Sequence, residues 1–144
     1  MKVSSCKNKG RRLQQKVRDD ILRVFNSTMK DDDVTSTSMG CGGEDLKFSP
    51  HARSIIPISI ECKNQERLDL WGSLLQCSTN APSGTTPCLI FKRNHTKTYA
   101  VVDWEHLLNL YYEVYTRKQN EAFVNDEKTG RVKELIAELN SLIN

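Results

Sequence analysis

The sequence holds no apolar run long enough to cross a bilayer, no CxxC pair, no histidines paired at metal-ligand spacing and no internal repeat. The first absence leaves no membrane span to expect. The second removes the usual frame of a structural zinc site. Cysteines 6, 41, 62, 77 and 88 form an odd set, which reads as reduced thiols in a cytoplasmic compartment. The opening MKVSSCKNKGRR is charged without an apolar stretch, so no secretory signal is expected. Low complexity is confined to the DDD at 31–33.

What is present fits one ordinary domain over residues 1–144, with a core segment over about 9–117 and a helical extension over about 118–144. Hydrophobic residues make up 38% and charged residues 27%, the balance of a soluble globular chain. The net charge of +3 hides an asymmetry: residues 1–30 hold nine Lys/Arg and two Asp (+7), and the rest carries −4. A basic segment of this kind is either a solvated face or a footprint for a phosphate backbone.

Leu13, Val17, Ile21, Leu22, Val24 and Phe25 keep helical spacing and predict a helix from Gly10 to Phe25. A short strand near 34–39, a Gly-rich turn at 40–43 and a strand over 44–48 follow, and SPHAR reads as a loop. Ile56, Ile58 and Ile60 alternate as a third strand. In QERLDLWGSLLQCSTNA, residues Leu68, Trp71, Leu74, Leu75 and Ser78 mark one helical face. CLIFKR and YAVVD read as strands around a polar loop, and Asp103 as the N-cap of the helix WEHLLNLYYEVYT. RKQNEAFVNDEKTG reads as a linker to a last helix from about Arg131. The expectation is an α/β fold: a three-strand antiparallel meander extended by a crossover strand into a mixed β-sheet flanked by helices.

The stretch PISIECKNQE raises a question, because Glu61 and Lys63 share the face opposite the isoleucines. In a meander Asp45 comes to lie beside Glu61. Two carboxylates with the Cys62 backbone carbonyl between them suit a hard cation such as Mg²⁺, which acidifies a bound water and stabilises charge on a phosphoryl oxygen. An adjacent ammonium can hold that water and offset developing negative charge. The bland alternative is an exposed Glu–Lys pair on a solvated face.

GEDLKF…PISIECKNQE resembles the D…(E/D)xK motif of the PD-(D/E)XK nuclease superfamily. With NKGRRLQQKVRDDIL and LDLWGSLLQCSTNAPSGTTPCLIFKRN, the stretch from Lys9 to Trp104 is similar to the Holliday-junction resolvase-like branch of archaea and bacteriophages. The resemblance implies a restriction-endonuclease-like αβββαβ core and an endonuclease that hydrolyses phosphodiesters of branched DNA with Mg²⁺, or Mn²⁺ in its place. It assigns Asp45, Glu61 and the Cys62 carbonyl to the metal, Lys63 as the catalytic lysine, and Gln76 to a place near the centre. It implies a homodimer on a four-way junction, 5′-phosphate products, and the host cytoplasm for a phage protein. Related resolvases often carry a glutamate on helix one where this chain has Gln14; an amide oxygen can still ligate or orient water, without charge.

Lys9, Arg11 and Arg12, set at the start of helix one, can reach phosphates together with the helix dipole. Ser36 and its neighbours Thr35 and Ser38 offer hydroxyls, and Lys92 and Arg93 stand where a strand leaves the sheet. Glu44 competes with Asp45 as the ligand. Two rivals stay open: a nuclease of this fold acting on flaps, ends or duplex, and a DNA-binding module of the same fold that does not cut.

Overall fold

The computed structural model describes residues 3–38 and 41–143, with side chains over 8–38 and 41–141. Its elements run α1 (Val3–Val24), β1 (Val34–Ser36), β2 (Leu46–Phe48), α2 (Pro50–Ile55), β3 (Ile58–Asn64), α3 (Leu70–Asn80), β4 (Thr86–Lys92), β5 (Tyr99–Val101) and α4 (Trp104–Ile143). The chain divides into two units, Met1–Asp103 and Trp104–Asn144. The core boundary expected near residue 117 therefore falls inside α4.

In the first unit, β3 is the axis. Ile60 and Cys62 point to one side, into a core with Leu13 and Val17 of α1, Val34 of β1, Leu46 of β2 and Ala52 of α2. Leu13, Val17 and the partly buried Ile21 repeat every four residues, the spacing that keeps one stripe of a helix against a sheet. β4 runs parallel to β3 with Ile60 opposite Cys88 and Glu61 opposite Leu89, and β5 runs antiparallel to β4. The parallel pairing follows from α3, which carries the chain back over the sheet as parallel strands require.

The architecture is mixed α/β, as expected, but its strands form two small sheets, β1-β2 and β3-β4-β5, in place of one. The expected hairpin between β2 and β3 is replaced by α2. Ser49 caps that helix, its hydroxyl accepting from the Ala52 N–H at 3.1 Å, and Pro50 starts it with a φ already suited to a first turn. With a helix between them, β2 and β3 share no ladder. They are joined by the Asp45 N–H donating to the Ile60 carbonyl at 2.9 Å.

α1 begins seven residues before the expected Gly10, at Val3, so Lys9, Arg11 and Arg12 lie inside the helix. The argument that they act with its positive N-terminal end is thereby corrected. The linker expected over RKQNEAFVNDEKTG is helical too, and α4 is one continuous helix of 40 residues. Arg, Lys, Gln, Glu and Ala in this stretch favour helix whatever their hydrophobic periodicity, and a lone Gly130 does not break it. No helix among the described residues is long and apolar enough to cross a membrane.

Candidate functional site

Alternation along β3 sends Ser59, Glu61 and Lys63 to the side away from the core, and α3 covers them. Ser59 is 1% exposed and Glu61 3%. This is no solvated face. The Lys63 ammonium donates to Glu61 Oε1 at 2.7 Å and to Gln76 Oε1 at 2.8 Å. Gln76 and Asn80 stand one turn apart on α3, and Asn80 Nδ2 reaches Glu61 Oε2 at 3.4 Å. Both oxygens of the buried carboxylate therefore have donors, which is the condition for keeping it charged. An ammonium carries three donors, and two are engaged here.

Asp45 approaches from the free edge of β3. Its Oδ2 accepts from the Cys62 N–H at 2.7 Å while its own N–H holds Ile60. A residue that turns its N–H to one edge of a strand turns its C=O there as well, so the Cys62 carbonyl faces the same edge. Burial raises the Asp45 pKa most. The Cys62 N–H counters it, the Glu61 charge adds to it, and Lys63 and a hydrogen bond from Gln14 oppose it. Glu61, Lys63 and Gln14 thus all lie close enough to act on Asp45. The preceding loop is pinned: the Thr37 N–H donates to the Asp45 carbonyl at 2.9 Å and Thr37 Oγ1 to the Glu44 carbonyl at 2.7 Å. Glu44 itself turns to Arg53, whose guanidinium also lies over the Phe48 ring at 4.6 Å.

Gln14 is 5% exposed, and its Oε1 is buried with no hydrogen-bond partner. It borders a cleft of about 190 Å³ that Arg11, Gln15, Ser36, Thr37 and Ser38 complete. The Ser36 hydroxyl is likewise buried without a partner. Lys9 and Lys92 belong to another place: Asn64, the last residue of β3, donates to the Lys9 carbonyl at 3.3 Å and pairs in register with Lys92. Arg12 and Arg93 are exposed.

Among the described residues, no group of three or more His, Cys, Asp or Glu is gathered as a metal centre. The donor set here is of another kind: two carboxylates, a backbone carbonyl, and the unpartnered amide oxygen of Gln14. Oxygen donors of this sort, few and incompletely satisfied, fit a Mg²⁺ ion that keeps several of its waters. The thiols do not compete. Burial pushes the Cys62 pKa up, with the Asp45 and Glu61 charges adding to the effect, and burial pushes Cys88 up to about 11. Both stay protonated at neutral pH, leaving Cys62 only its backbone to offer.

No family model matches the chain, and no curated protein or solved structure matches it at a significant level. The fold and site define a mixed α/β chain with a buried, lysine-paired carboxylate and a second carboxylate at the neighbouring strand edge. Sequence reasoning passed over Asn80, Thr37 and Arg53. Asn80 was findable, four residues after Gln76 and so on the same side of the helix. The Thr37 contacts extend the β1–β2 register by one pair, whereas the Arg53 contact depends on α2, which the sequence pattern presents as a loop.

Proposed function

We propose that this protein is a Mg²⁺-dependent DNA endonuclease resembling Holliday-junction resolvases, which hydrolyses phosphodiesters of branched DNA as a homodimer. The observation that carries the reading is the Asp45–Cys62 hydrogen bond at 2.7 Å beside the Glu61–Lys63 pair at 2.7 Å. Asp45 at the strand edge and the Glu61–Lys63 pair on the face under α3 thus lie on adjacent residues of β3, which supports the (E/D)xK reading. Bound there, the ion would supply a water of lowered pKa and a Lewis acid for a phosphoryl oxygen.

Asp45, Glu61, the Cys62 carbonyl and Gln14 would hold the ion. Lys63 Nζ keeps one donor for the scissile phosphate, and Gln76 and Glu61 fix the direction in which it points. α3 shields this amine from bulk water, which strengthens its pull on a developing negative charge. Arg11, with Ser36 and Ser38 across the cleft, would hold a neighbouring backbone phosphate, and Lys9, Arg12, Lys92 and Arg93 would extend the contact.

The test is a labelled four-way junction, a flap and a linear duplex incubated with Mg²⁺ or Mn²⁺. Paired symmetric nicks in the junction are expected, reduced about 100- to 1,000-fold in Lys63→Ala. Cutting of duplex as fast as junction would move the substrate to other DNA, and product undiminished in Lys63→Ala would end the assignment. One observation favours a second reading, a DNA-binding module that does not cut: Gln14 brings no charge where related resolvases often carry a glutamate. Tight junction binding without product under either metal would select it.

A further inference from the structure

Among the many apolar residues of α4, two blocks share one spacing. Trp104, Leu108 and Tyr111 are followed 28 positions later by Val132, Ile136 and Leu139. All six are between 46% and 69% exposed. Twenty-eight residues are four heptads, and each block steps by four and then three. An ideal straight helix drifts by about 20° per heptad, which would set the blocks about 80° apart. They come onto one stripe only if the helix winds left-handedly around a partner helix along its whole length. Between the blocks the same stripe passes through Tyr115, Lys118, Ala122, Asn125 and Thr129. Ala122 and Thr129 are small enough to let a partner stay close. A polar residue such as Asn125 in a seam lowers stability but fixes register and strand number.

The partner has to be a helix of matching length. At 1.5 Å per residue, α4 spans about 60 Å, and as one unbroken helix it cannot fold back on itself. We propose that α4 pairs with α4 of a second copy of this chain, as a two-stranded coiled coil along this stripe. A second copy brings the same helix with the same stripe, which a two-fold interface makes self-complementary. Unpaired, the helix leaves both blocks in water, and most helical stability in proteins comes from packing an apolar face. The inference deepens the two-copy reading above. Its test reads mass and helicity, so cleavage can fail while pairing holds, and the reverse.

The full-length chain is to be examined by analytical ultracentrifugation over a concentration series, with far-ultraviolet circular dichroism alongside. Two-copy particles are expected, with helix content rising as they form. Tyr111→Glu and Leu139→Glu, each in the stripe, should weaken pairing about 100-fold or more. Phe123→Glu replaces an equally exposed aromatic that lies off the stripe, and should leave pairing unchanged. A wild-type chain that stays monomeric up to about 100 μM overturns the proposal, whether or not it binds anionic vesicles. So does a dimer that survives both stripe variants, or one that Phe123→Glu disrupts equally.

Discussion

The two sides of β3 are buried almost equally and for opposite purposes. Toward α1, Ile60 and Cys62 join an apolar core whose members need nothing but contact. Toward α3, Ser59, Glu61 and Lys63 are covered by a helix that presents Ser73, Gln76, Cys77 and Asn80. The first side contributes folding free energy through area removed from water. The second carries buried charge that only its hydrogen bonds offset. Burial is therefore no guide to what a residue is for in this chain; its partners are.

Four substitutions sharpen the contrast, beginning with the largest expected effect. Lys63→Ala, on the polar side, should lower cleavage per folded molecule by the factor given above. The folded fraction is read by circular dichroism, because the variant also leaves buried Glu61 without its ammonium. Ile60→Ala, on the apolar side, should cost about 2–5 kcal/mol in denaturant unfolding, with junction cleavage per folded molecule retained. If Ile60→Ala abolished cleavage in fully folded protein, the division between the two sides would fail.

Asp45→Asn tests the edge between them. The Asp45 pKa is raised in the folded chain, so just above the ordinary carboxylate range the folded state holds more protons than the unfolded state, and stability falls as pH rises through that window. An asparagine removes this dependence. Its oxygen still accepts from Cys62, and the Gln14 amide can turn so that its unpartnered oxygen gains a donor. Stability at neutral pH should rise, by less than about 2 kcal/mol, while cleavage is lost. A variant less stable at pH 7 than the parent would show that the carboxylate is held by more than it costs. Leu75→Ser should do least: Leu75 is 70% exposed on α3, and unfolding should shift by no more than about 0.5 kcal/mol.

The sequence was most legible where local pattern and tertiary demand agree. The isoleucine alternation marks β3, and the helical run after it marks the crossover to β4. It misled where hydrophobicity was followed against chemistry. On α3 the apolar spacing picks out one face, Leu68, Trp71, Leu74, Leu75 and Ser78, yet Trp71 is 80% exposed, Ser78 is exposed as well, and the buried positions are Ser73 and Cys77. A helix laid on a polar strand face offers it small and polar side chains, and its oilier side is left over. Ser49-Pro50 is a legible helix start, and the helix that follows is too short, at six residues, to show a periodic apolar face. Of the candidate site, Asp45, Glu61 and Lys63 are singled out by the spacing of the motif, and Gln76 only by the family resemblance. Arg11, Gln14 and Ser36 could each be named as well, but not that they border one cleft, since α1 and β1 meet only in the tertiary structure.

The way Asp45 closes the border of β3 has a consequence for handling the protein. An open strand margin is a template on which other chains can add and aggregate. Here one residue occupies two of its groups, the Ile60 carbonyl through the backbone and the Cys62 N–H through the side chain. Shortening that side chain to a methyl group would uncover the Cys62 donor, leaving a variant with a newly adhesive seam. Asparagine keeps the seam shut, and is the better choice wherever an inert form must remain dispersed at high concentration.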